Sequence, residues 1–165
     1  MVSPRPTSAT PTDSASPAQV LRRFRAVFNA VKTHFQQVER VAGVGGAQVW
    51  ALSVVQSAPG LGVSQLARAM DVHQTTASNL VRTLTQQGLL EVRKEGADRR
   101  SVQLYLKPDG EQVLARTPGP FAGVLPEALA ALDPATLQRL DQDLGTLLAL
   151  LKPEQGAGNI PLAEL

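Results

Sequence analysis

"QTTASNLVRTLTQQGLLEVRKEGADRRSVQLYL", residues 74–106, changes its hydrophobic period midway. Ala77, Leu80, Val81 and Leu84 recur at helical spacing. From Leu89 the pattern alternates, with Leu90 and Val92 on one run and Val102, Leu104 and Leu106 on the other. A period near 3.6 predicts a helix over about 74–87, and a period of two predicts half-buried strands. Gly88 stands at the switch, and "KEGADRR" (94–100) joins the two runs as a charged, Gly-containing turn. The stretch therefore predicts a helix followed at once by a hairpin.

Immediately upstream, "VSQLARAMDVH" (63–73) predicts a short helix with Ser64 as its N-cap and Leu66, Ala67 and Met70 facing inward, then a turn at Asp71–His73. Two helices joined by so short a turn form a helix-turn-helix pattern. On the second helix, Gln74, Thr75, Ser78, Asn79 and Arg82 share a face away from the apolar stripe. Asn and Gln can pair with adenine, Arg with guanine, and Ser or Thr with a thymine methyl or a phosphate. No acid occurs between Asp71 and Glu91, whereas an ordinary solvated helix face commonly carries Glu beside Lys. Acid would repel phosphate, so the gap favours DNA. Arg99 and Arg100 end the hairpin turn, with Arg93 and Lys94 on the incoming strand. A charged hairpin tip is commonly just solvated, but helix, helix, strand, turn, strand is the winged-helix order. There a projecting Arg suits the negative potential of a narrow minor groove.

Outward from this core, "SPAQ" (16–19) supplies a capping box, with Pro17 at the first helical position. Val20, Phe24, Val27, Val31, Val38 and Val41 then fall near a 3.5-residue repeat, ended by "AGVGG" (42–46). A helix over roughly 47–56 carries Trp50 and Leu52. After "KPDG" (107–110), a short helix over about 109–116 is cut by "TPGP" (117–120). Asp133 as N-cap and Pro134 at N1 open the last helix, where Leu137, Leu140, Leu144, Leu147 and Leu151 keep a 3-4-3-4 spacing. A sustained heptad-like spacing at both ends of the chain fits an intersubunit bundle better than an intramolecular core, so a homodimer is expected.

The chain has 165 residues, one domain's worth, and no cysteine, which excludes disulfides and thiolate zinc sites. Its net charge of +2 is too small to identify a partner. No apolar run reaches the roughly 18 residues of a membrane span. The opening "MVSPRPTSATPTDSASP" lacks a signal peptide's apolar centre, so the expected location is cytoplasmic. His34 and His73 have no ligand neighbours and read as polar helix residues. Neither a Ser-His-Asp arrangement, a carboxylate pair nor a phosphate loop is visible, so the expectation is no enzyme, no metal and no cofactor.

The stretch "VSQLARAMDVHQTTASNLVRTLTQQGLLEVRKEGADRRSVQLYLKPDG" (63–110) resembles the winged helix-turn-helix core of the MarR (multiple antibiotic resistance regulator) family of bacterial transcription regulators. The landmarks are "LARAM", "TASNLVRTLTQQGLL" and "DRR", and "ALDPATLQRLDQDLGTLLALL" (131–151) is similar to the family's dimerisation region. The resemblance runs from about Ala18 to Leu151. It implies a homodimer with recognition helices in successive major grooves and wings on the flanking minor grooves. It also implies a wing held by Asp98 and Arg100, with Arg99 the freer tip. Most such regulators are repressors, and many release DNA when a small, often aromatic and anionic molecule binds. Here His34, Phe35 and Trp50 are candidates for such a pocket, each with an ordinary core or interface role as the plainer reading. The absence of cysteine excludes thiol sensing. Three departures stand out: His73 where a small capping residue is usual, Lys107-Pro108 in place of a capping Thr, and "TPGP" in the helix linking wing to dimer interface.

The expected fold is thus mainly α with a small β-hairpin wing: a winged helix-turn-helix core plus N- and C-terminal dimerisation helices. Its parts are a disordered arm (1–17), an N-terminal dimerisation helix (18–46), the DNA-binding core (47–110), C-terminal dimerisation helices (111–152) and a flexible tail (153–165). The expected function is a dimeric, sequence-specific regulator of transcription acting on double-stranded DNA, a repressor with a small aromatic effector. The rivals are a winged-helix protein–protein module and a small-molecule binding protein without DNA.

Overall fold

The computed structural model describes residues 14–94 and 102–164. Its first helix, α1 (Pro17–Ala42), begins at the expected capping box: the Ser16 hydroxyl accepts from the Gln19 amide (3.2 Å), and the Gln19 side chain accepts from the Ser16 amide (2.7 Å). Next come α2 (Gly46–Ser57), α3 (Val63–Ala69) and α4 (Gln74–Gln86). The N-cap of α3 is Gly62 rather than Ser64. With Gly62 in that place, Gln65 falls at N3 and its carbonyl accepts from the Gly62 amide at 2.8 Å. A cap at Ser64 would put Ala67 at N3, with no group to reach back.

The hairpin pairs β1 (Leu90–Lys94) with β2 (Val102–Leu106) in antiparallel register, Leu90 opposite Leu106 and Val92 opposite Leu104. Leu104 also exchanges backbone hydrogen bonds with the 60–61 segment, its carbonyl accepting from Gly60 and its amide donating to Leu61. That third partner ties the wing to the α2–α3 connection. After the wing, α5 (Pro108–Arg116) ends at "TPGP", and α6 (Val124–Ala130) and α7 (Pro134–Leu151) follow. The split expected at "TPGP" is therefore complete, and α6 is an element that the periodicity did not announce.

One core joins α2, α3, α4, the hairpin and α5 through Leu52, Val55, Leu66, Met70, Leu84, Leu90, Leu104 and Val113. Only the C-terminal half of α1 enters it, at Val38 and Ala42. Two polar links fix α1 to the chain beyond the wing. Arg116 donates to the Ala42 carbonyl at 2.7 Å, satisfying the end of α1 where a cation is also favoured by the helix dipole. The His34 Nε2–H donates to the Pro120 carbonyl at 3.0 Å. By contrast α7 buries none of its residues within the single chain. Residues 153–164 carry short 3-10 turns at Ala157–Asn159 and Leu162–Glu164 and fold back onto α1 and α2. Among the described residues no helix is long and apolar enough to cross a membrane.

Candidate nucleic-acid interface

On α4 the apolar stripe Ala77, Leu80, Val81 and Leu84 is buried, so the remaining arc of the helix must face outward. Gln74, Thr75, Ser78, Asn79 and Arg82 are all exposed on that arc. Arg82 Nη2 donates to Asn79 Oδ1 at 3.1 Å, so the guanidinium is held across the face by a residue one turn earlier. Gln86 is exposed one further turn along the row Gln74, Ser78, Arg82. Sequence reasoning passes over it, although the i+4 spacing alone could find it. Among the described residues no side chain caps α4: His73 occupies the N-cap without a capping bond. The first-turn amides are therefore left for another acceptor, which is what a phosphate at a helix N-terminus uses.

On the wing, Arg93 is engaged within its own hairpin. It bonds Glu91 at 3.0 Å, and its guanidinium lies 4.4 Å from the centre of the Tyr105 ring. That bond, with the charges of Arg93 and Lys107, holds the Glu91 carboxyl below the usual glutamate range. Tyr105 in turn donates to Gln103 at 2.7 Å. Among the described residues of the wing Glu91 is the one acid, and Arg93 offsets it. The expected tip residues Asp98, Arg99 and Arg100 lie outside the described residues.

Order and contacts of these elements are those of a winged helix-turn-helix, and the MarR family model matches residues 42–101. Over this winged-helix core, the chain is similar to the MarR family. A protein from Thauera aromatica described as a transcriptional regulatory protein for the hcr operon is 36% identical over 102 residues, 61% of this chain and 57% of that protein. The chain thus matches little more than half the length of that relative. BpsR of Bordetella bronchiseptica, whose DNA binding is regulated by 6-hydroxynicotinic acid, is 25% identical, with a TM-score of 0.53 over 78% of this chain and 98% of that one. S. aureus MepR, solved with DNA, is 18% identical at a TM-score of 0.53, over 82% and 96% respectively, a likeness of fold.

The MarR-like arrangement leaves a cavity of about 460 Å³ between α1, the helix-turn-helix and α6. Phe35 and Trp50 lie on its lining, with Met70, Val72 and Leu125. Phe35 packs between Gly46 and Gly123. His34 is not on the lining: it meets Phe35 edge-on, at 5.3 Å between ring centres, and its Nε2 is bound to Pro120. Among the described residues, Asp71 is the one titratable group along the wall.

Proposed function

We propose that this chain is a dimeric, sequence-specific DNA-binding regulator of transcription, acting as a repressor. The observation that carries the reading is the outward arc of α4, which is polar, exposed and without acid from Gln74 to Gln86. Major-groove readers need donors and acceptors on such an arc, and phosphate contacts then fix their register. In this reading Gln74, Thr75, Ser78, Asn79 and Arg82 face base edges and phosphates. Arg99 and Arg100 supply the minor-groove contact, and Asp98 pairs with Arg100 to hold the wing.

Dimerisation is argued from the surface that a single chain leaves uncovered. Phe28 is 56% exposed, and Leu148, Leu150 and Leu151 are 49%, 78% and 65% exposed. A second copy would cover these surfaces and set two recognition helices about one duplex turn apart. The effector of this regulator would enter the cavity beside Phe35 and Trp50. Because the wall offers apolar side chains and one carboxylate, an uncharged aromatic molecule suits it better than an anion.

The testing experiment is a salt series of binding to a duplex from the protein's own upstream region, against a scrambled duplex. Selective binding that weakens steeply with salt is expected, since released counterions contribute much of the affinity. Absence of binding to either duplex, or to genomic fragments, at low salt would remove the reading.

A further inference from the structure

The segment after α7 is short and acidic, and it lies against the helix-turn-helix. Lys152, in the left-handed region at φ 48°, turns the chain back from the end of α7. Residues 153–164 then carry Glu154 and Glu164 and no basic residue. They touch the helix-turn-helix at two points and share a recess with it at a third. Gly156, at φ +83°, packs against the His73 ring at the N-cap of α4, so closely that a Cβ there would collide with it. Asn159 donates to the Asp71 carbonyl in the turn between α3 and α4, at 3.5 Å. Glu164 lines a recess of about 250 Å³ with Gln48, Thr76, Asn79, Leu80 and Thr83, on the flank of α4. Between these points Pro161 is buried, and Leu162 and Ala163 pack against Phe35 and the start of α2, closing one side of the apolar cavity.

We propose that residues 153–164 are an autoinhibitory strap: while docked, they place a carboxylate beside Asn79 and backbone against His73, and so compete with duplex DNA for the recognition helix. The strap rests on the DNA-binding reading of α4. A groove that admits α4 brings phosphates to both flanks of the helix, and a carboxylate on that flank repels them. The hold is light enough to be reversed. One residue is buried, one hydrogen bond is long, and Ile160 remains 44% exposed. Because the strap also walls the cavity, a molecule entering beside Trp50 acts on the strap first, which couples the cavity to the reading face without moving the core.

The test compares the full chain with one ending at Lys152, in both Trp50 emission and duplex affinity. Trp50 is the sole tryptophan and lies on the cavity wall, so it reports the strap independently of DNA. Two full-length variants keep the test open if the shortened chain folds poorly. Ala163→Arg cannot sit against Gly46 and Phe35 and frees the strap, whereas Glu164→Gln leaves it docked without its charge. Shortening and Ala163→Arg should each red-shift the emission and tighten duplex binding by about fivefold, the lower end of couplings between sites. Glu164→Gln should recover part of that gain with unchanged emission. Saturating duplex should move the full chain's emission toward that of the shortened chain. Unchanged emission on removing the strap, or equal or weaker duplex binding by folded strap-free protein, overturns the strap alone. Failure of every form to bind DNA at low salt overturns the DNA-binding reading and the strap with it.

Discussion

Arg82 and Asn79 stand one helical turn apart, and their 3.1 Å hydrogen bond presets the guanidinium over the outward face of α4. A good bidentate contact to a base is worth about 1–3 kcal/mol of discrimination, so Arg82→Ala should weaken binding to the cognate duplex roughly tenfold or more. Loss measured by fluorescence anisotropy should be much smaller on the scrambled duplex. An equal loss on both would make Arg82 a phosphate contact instead. Arg82→Lys should not restore selectivity, because an ammonium has no planar fork. Gly110 makes a different kind of prediction. A Cβ there would run into the Leu89 carbonyl, and that oxygen is already fixed by accepting from the Lys107 amide at 3.0 Å. Backbone cannot step aside as a flexible side chain can, so Gly110→Ala should destabilise the fold by roughly 1–3 kcal/mol in denaturant melts. An unchanged midpoint would show that α5 can slide on the wing.

At the scale of elements, α7 is the test of what a single cap contributes. Asp133 accepts from the Thr136 amide at 3.0 Å, and bonds from Thr136 hold its carboxyl below the usual aspartate range. A carboxyl depressed in the folded state stabilises at pH above its unfolded value, and the contribution fades as pH falls through the folded value. Helicity lost on acidification should therefore include an α7 share that Asp133→Asn lacks. Identical acid titrations of the two proteins by circular dichroism would rule out the cap as a pH-dependent element. The starts of α1 and α7 were legible because Ser16 and Asp133 are strong capping residues followed by proline. The start of α3 was misplaced because Gly62 carries no side-chain signal of its own; the glutamine at N3 does the capping, as Gln48 also does for α2. The hairpin was legible from alternation, and the same alternation holds its register, since a one-residue slip would invert every side chain. The link from Leu104 to the 60–61 segment and the return of residues 153–164 were not legible. Both are contacts between distant segments with no periodicity to mark them. The outward arc of α4 was legible for the opposite reason, since a local helical period assigns both its faces at once. Glu164 beside that arc comes from the far end of the chain.

The whole molecule is a winged-helix core with two apolar arms that the single chain leaves uncovered. The N-terminal half of α1 exposes Val20, Leu21, Val27 and Phe28, with Phe24 and Phe28 stacked at 6.4 Å between ring centres. On α7, Leu137, Leu148, Leu150 and Leu151 are exposed. Apolar area removed from water contributes about 25 cal/mol per Å², so pairing these arms between two copies would favour association. None of these side chains belongs to the buried core, so charging them should break association without unfolding the wing. Phe28→Asp combined with Leu148→Asp should sediment as a monomer with a near-native circular dichroism spectrum. On a two-half-site duplex the monomer should bind roughly 10²–10⁴-fold more weakly, the scale on which tethered double engagement exceeds single binding. On a duplex carrying one half-site, its affinity should match that of one wild-type reading head. If the double variant stays a dimer, the arms serve the fold of one chain and some other surface pairs the copies. If it becomes a monomer yet binds the two-half-site duplex undiminished, each chain reads its DNA alone, and the symmetry argument for the arms fails at the step from assembly to recognition.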